Sequence, residues 1–165
     1  MALLLLSANT EAQQPLEDEV KAAFLLNFTK FIEWPTTAFR DESSAITICL
    51  LGESPVADAL PHLVQGERAS GRLIVAKKVK RSEAIDGCQV LFIAKSEKDV
   101  AKLLAGVRLS VLTVGESEGF IKEGGMIGFV TENRRVRFDV SQARAAKAML
   151  LINGRLLNVA RSVEK

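Results

Sequence analysis

Ile46-Thr47-Ile48-Cys49-Leu50-Leu51, closed by Gly52-Glu53-Ser54-Pro55 and followed by Val56 to Val64, decides the fold class. Five β-branched or aliphatic residues and one cysteine, bounded by turn chemistry, read as a buried strand, and the segment behind Pro55 reads as a short helix. A strand that feeds a helix is the unit of an α/β fold. The same grammar continues downstream. Arg72 to Lys80 reads as a second strand and Cys88 to Ala94 as a third. Ser96 caps a helix carrying Val100, Leu103 and Leu104 that ends near Gly106, and Ser110 to Val114 is a fourth strand. Met126 to Val130 and Val136 to Val140 form a hairpin around Glu132-Asn133-Arg134. Upstream, Pro15 to Trp34 reads as a helix, with Glu17, Asp18 and Glu19 suiting the positive end of its dipole and Pro35 stopping it. Ser141 to Val163 reads as mostly helical, broken near Asn153-Gly154. The expected fold is a single-domain α/β sandwich over residues 18–163. A mainly parallel central sheet is flanked by helices and carries a C-terminal antiparallel hairpin.

Composition bounds the function. The chain has 165 residues, 48% hydrophobic and 25% charged, which excludes disorder as a description of the whole. The longest apolar run, Ala2 to Leu6, falls far short of the roughly 20 residues of a membrane span, so no membrane insertion is expected. A net charge of +2 selects no partner. One histidine, His62, and no tyrosine leave little for a histidine-based active site or a base-stacking platform. A binding or regulatory module is expected, not an enzyme.

Thr10 and Ala12 occupy the −3 and −1 positions of a signal peptidase site behind the short apolar opening. Residues 1–12 thus read as the remnant of an export signal whose basic start lies further upstream, the alternative being a leucine-rich tail. In an exported chain the even cysteine count, Cys49 and Cys88, favours a disulfide, with two free buried thiols as the alternative. Their spacing does not resemble a zinc site, and no other metal site or cofactor motif is visible.

Gly115-Glu116-Ser117-Glu118-Gly119 matches G-x-S-x-G, but Gly124-Gly125 follow within a few residues and the only histidine lies upstream, so a strand-end turn is the plainer reading. No catalytic residues are assigned. Gly52, Glu53 and Ser54, with Gly115, Glu116 and Ser117, end strands on the edge where open α/β sheets bind ligands, and form a candidate ligand cleft. Lys77, Lys78, Lys80 and Arg81 read as guards of an edge strand, and Arg134, Arg135 and Arg137 as decoration of a hairpin tip, so nucleic-acid binding is not expected. Phe24, Phe28, Phe31 and Trp34 form an aromatic stripe wider than one buried face needs. It is core, or a partner or dimer interface.

Val20-Lys21-Ala22-Ala23-Phe24-Leu25-Leu26-Asn27-Phe28-Thr29-Lys30-Phe31-Ile32-Glu33-Trp34-Pro35 resembles the YfiR family of periplasmic proteins. Thr113-Val114-Gly115-Glu116, Gly124 to Phe129, Val136 to Val140 and Gly154 to Arg161 add to the likeness in the same order. The resemblance implies a small, often dimeric α/β domain without catalytic activity. The member for which the family is named represses an inner-membrane diguanylate cyclase by binding its periplasmic sensor region. An outer-membrane lipoprotein relieves the repression by sequestering the repressor. Cys49 and Cys88 match the positions of a family disulfide. The second cysteine pair of some members is missing here, so redox control through it does not carry over. The expectation is a periplasmic regulatory binding protein, homodimeric and without a cofactor, that represses a membrane-bound diguanylate cyclase and so limits cyclic di-GMP signalling and biofilm formation. The rival is a periplasmic small-ligand-binding protein that uses the strand-end cleft.

Overall fold

The structure is a computed structural model that describes residues 10–81 and 85–165. Helix α1 (Thr10–Phe28) leads to β1 (Ile32–Glu33), a single 3-10 turn (Thr36–Ala38) and β2 (Ile46–Leu51). Then come α2 (Pro55–Leu63), β3 (Arg68–Ala69), β4 (Arg72–Val79), β5 (Val90–Ile93), α3 (Val100–Ala105) and β6 (Leu112–Gly115). The chain ends through β7 (Ile127–Glu132), β8 (Arg135–Ser141), α4 (Gln142–Lys147), β9 (Leu151–Ile152), α5 (Gly154–Val159) and β10 (Ser162–Glu164). Among the described residues an eight-stranded sheet runs in the order β10-β8-β7-β6-β5-β2-β4-β3, and β1 pairs with β9 apart from it. Within the eight-stranded sheet the ladders are parallel except β7–β8 and β3–β4, as the alternation of strands and helices implies, and the separate β1–β9 pair is antiparallel.

β2 shows why these residues make a central strand. Ile46, Ile48 and Leu50 join the core under α1 and α2, while Cys49 and Leu51 face the opposite core with Val100 of α3. A strand covered on both faces gains from apolar residues at every position. Ser54 caps α2 by accepting from the Val56 amide at 3.2 Å, and Pro55 opens the helix. The hairpin closes through Asn133 and Arg134, both left-handed (φ +49° and +63°), the two-residue turn whose twist matches its strands.

Three expectations are corrected. Ser96 does not cap α3, which starts at Val100 behind Asp99; its hydroxyl donates to the Glu53 carbonyl instead. α1 ends at Phe28, not Trp34. The Thr29 hydroxyl donates to the Leu26 carbonyl at 2.6 Å and the Lys30 and Phe31 amides close a turn on Asn27 and Phe28. The chain then straightens, and Ile32 and Glu33 pair with Ile152 and Leu151. The segment after Ser141 is not mostly helical. It alternates α4, β9, α5 and β10, and β10 pairs with β8 in parallel. Asn153 accepts from the Arg155 amide at 2.8 Å, so the expected break is the N-cap of α5. The expected signal remnant, residues 1–12, lies outside the described residues up to residue 9.

Candidate functional site

β2 is the strand from which the chain leaves in both directions, first to β4 and then to β5 and β6. A crevice forms beyond the carboxyl ends of strands at such a reversal. Here a cleft of about 1170 Å³ opens there, walled by α1, the turn after β2, the turn after β6 and the final strand. The structure therefore brings the two candidate turns together. Glu116 joins them. Its carboxylate accepts from the Lys21 ammonium at 3.3 Å, the Ser54 hydroxyl at 3.1 Å and the Lys95 amide at 3.2 Å. The Lys21 and Glu116 side chains are only 12% and 6% exposed. A carboxylate this enclosed needs such partners, and it fastens α1 and two strand-end turns at once.

The other candidates are placed less openly. Gly52 (φ +91°) is pressed by Ala94, Ser96 and Glu97, so a Cβ would come within 2.9 Å of the Ala94 Cβ. Glu53 is exposed, and its carbonyl accepts from the Ser96 hydroxyl at 3.2 Å. The Ser117 Oγ is buried with no hydrogen-bond partner among the described residues. Among the described residues no base is hydrogen-bonded to it, so none of them activates this hydroxyl as a nucleophile. His62 is exposed on α2. The described residues contain no group of His, Cys, Asp or Glu side chains arranged to hold a metal ion.

Gly115 is there for space. Its backbone is not left-handed, but a Cβ would lie 2.2 Å from the Phe120 ring. Gly125 is as tight at 2.0 Å, and Gly128 meets the Phe120 Cβ at 3.3 Å. Phe120, 2% exposed, thus beds on three glycines and floors the cleft. Sequence reasoning missed it. The only available signal was one phenylalanine amid glycines at 115, 119, 124, 125 and 128.

The aromatic stripe divides. Phe28 is 0% exposed and stacks with Phe129 at 5.9 Å and edge-on with Phe138 at 5.1 Å. Phe24, half-buried, meets Phe138 edge-on at 5.3 Å. The stripe is wide because α2 packs on α1 as well as the β7–β8 hairpin, and Phe28, fully buried, has no surface left for a partner. Phe31 and Trp34 are half-buried beyond the helix end. The Trp34 indole donates to the Gln89 carbonyl at 3.2 Å. Gln89, also missed in the sequence, is 4% exposed; its side chain takes the Thr47 amide (2.8 Å) and donates to the Ala38 carbonyl (2.9 Å), tying this loop to the start of the sheet.

Cys49 and Cys88 form a disulfide, with Cα atoms 5.8 Å apart, in the core facing α3. The basic clusters are far apart, since β7, β6, β5 and β2 lie between β8 and β4. Lys77 and Lys78 lie past the end of β3 on β4, where Lys78 pairs with Asp58 at 2.7 Å. That ion pair holds the Lys78 ammonium above its ordinary range.

No helix of the described residues is long and apolar enough to cross a membrane. The YfiR/HmsC-like family model matches residues 18–161 of the chain. No curated protein matches it.

Proposed function

We propose, because the chain belongs to the YfiR/HmsC-like family, that it is a periplasmic regulator of cyclic di-GMP signalling that holds a membrane-bound diguanylate cyclase inactive. The family match across residues 18–161 carries this reading. In it, residues 1–12 end an export signal and residues 18–163 are the folded domain, which docks as a homodimer on the periplasmic sensor region of the cyclase. An outer-membrane lipoprotein withdraws it. The disulfide between β2 and the entry to β5 suits an oxidising compartment. Phe31 and Trp34, half-buried at the helix exit with Phe24 behind them, are the aromatic residues of the stripe that a partner can reach. Repression is a population shift, in which the regulator binds the inactive conformation of the cyclase more tightly than the active one.

Deleting the gene raises intracellular cyclic di-GMP, measured by mass spectrometry of nucleotide extracts, and expression of the exported protein from a plasmid restores it. Unchanged cyclic di-GMP in the deletion strain, with the gene expressed in the parent, rejects the cyclase reading. The strand-end cleft at the reversal of strand order favours a second reading, capture of a small polar ligand.

A further inference from the structure

Met149 stands where a helix normally ends in glycine. At the end of α4 the Met149 amide donates to the Ala146 carbonyl (3.0 Å) and the Leu150 amide to the Ala145 carbonyl (2.9 Å), and Met149 is left-handed at φ +66°. These are the paired bonds of a Schellman ending, whose left-handed position favours glycine or asparagine because a Cβ is crowded there. Burial does not offset that crowding, since Met149 is 55% exposed. Nor is it alone. The Ser110 amide donates to the Ala148 carbonyl at 2.9 Å, which sets Leu109, 64% exposed, beside it. Ser110 is itself left-handed at φ +63°. Leu151, 63% exposed between the buried Leu150 and Ile152, extends the patch. Folding gains nothing from a strained, wet methionine flanked by two wet leucines.

We infer that Leu109, Met149 and Leu151 are a docking surface for a protein partner with an apolar recess and a mixed-charge rim, which on the reading above is the periplasmic region of the regulated membrane protein. The rim of the patch carries both signs. Arg108 pairs with Asp86 on one side, Lys147 is exposed beside Met149, and Glu33 lies opposite Leu151 in the β1–β9 pair. A protein can set a counter-charge against each, whereas an anionic bilayer would repel Glu33 and Asp86. Three side chains also fall well below the roughly 800 Å² per partner of a stable dimer, so the patch does not by itself hold two copies of this chain together.

The test uses the exported full-length protein in a deletion strain of its host. Met149→Gly and the pair Leu109→Ser/Leu151→Ser are compared with wild type by thermal melting and by their ability to lower cyclic di-GMP. Met149→Gly melts at or above wild type, yet both variants fail to lower cyclic di-GMP. Repression equal to wild type by both variants, where the deletion itself raises cyclic di-GMP, overturns the docking surface and leaves the regulatory reading standing. If the deletion has no effect, the regulatory reading fails and a photoreactive residue in place of Leu151 decides the surface. An adduct with one membrane protein, identified by mass spectrometry and lost in Met149→Gly, upholds it. No adduct, an adduct between two copies, or patch-dependent sedimentation with phosphatidylglycerol vesicles overturns it.

Discussion

Phe120 and Gly115 show how one tertiary contact fixes a residue that looks like local turn chemistry. In the sequence Gly115 opens a glycine-flanked turn and invites an explanation by backbone freedom. Its backbone needs none, and the requirement comes from a ring five residues on that leaves no room for a methyl group. Gly115→Ala should therefore cost about 1–3 kcal/mol through overpacking, read as a drop in chemical-denaturation midpoint. The cause is isolated by repeating it on a Phe120→Ala background, itself weakened by about 3–5 kcal/mol. There the added methyl should cost almost nothing. Equal costs on both backgrounds would mean that the ring is not the reason for the glycine. Glu116 is the counterpart at the same turn. It was legible as a cleft residue by its strand-end position, but its three partners come from α1, the turn after β2 and the turn after β5, which no local pattern announces.

Elements long enough to express a period were legible, and those set by two or three pairings were not. β2, β4, β5, β6 and the hairpin appear within two residues of where their apolar runs place them, because each is a buried run bounded by turn residues. The overrun of α1 has a physical cause: Phe31 and Ile32 continue its apolar spacing while packing from a turn and a two-residue strand. β9 and β10 are too short to leave any alternation, so the stretch after Ser141 reads as mostly helical with a single break near Asn153-Gly154. An ion pair anchors β10 at the point where it enters its short ladder with β8. Arg161 donates through Nε and a terminal nitrogen to both oxygens of Asp139, at 2.8 and 2.6 Å, and its amide donates to the Phe138 carbonyl. The Arg161 hydrogen bonds hold the Asp139 carboxyl below its ordinary 3.8, against the opposing effect of burial. A carboxyl depressed on folding contributes stability fully above its unfolded pKa and loses it as pH falls through the folded value. Acidification below about pH 4 should thus loosen residues 162–164 ahead of the sheet centre. Amide exchange measured across that range checks it. Asp139→Asn should exchange fast at these residues already at neutral pH, and protection of β10 unchanged by either would show that the ion pair does not hold the strand.

At the scale of the molecule, the two proposed surfaces lie at opposite ends of the sheet. The cleft sits beyond the carboxyl ends of the strands at Gly52 and Gly115, while Leu109 and Met149 sit before the start of β6. Between them the Cys49–Cys88 disulfide joins residues 39 apart in sequence and encloses α2, β3 and β4, the whole of one sheet edge. β4 is held on its inner side by six registered pairs with β2, but on its outer side β3 covers it only at Arg72 and Leu73. Closing a loop of that length restricts the unfolded chain and stabilises the native state by about 4 kcal/mol in the chain-entropy model. The bond also sits within the core facing α3, where Cys49 is 0% exposed and Cys88 6%, so its loss leaves two thiols packed among Leu51, Leu91 and Val100 without opening a large cavity. The unfolded state therefore carries most of the effect. Cys49→Ser, or reduction of the wild type, should lower stability by about 2–5 kcal/mol, and hydrogen exchange should place the first opening in α2 and β4, not in the hairpin. The protein must first be shown to carry the bond: material taken from the periplasm and alkylated under denaturing conditions without reductant should show no labelled thiol per chain. Two labelled thiols, or a Cys49→Ser variant as stable as the parent with uniform exchange, would remove the disulfide from the account of how this sheet edge is held.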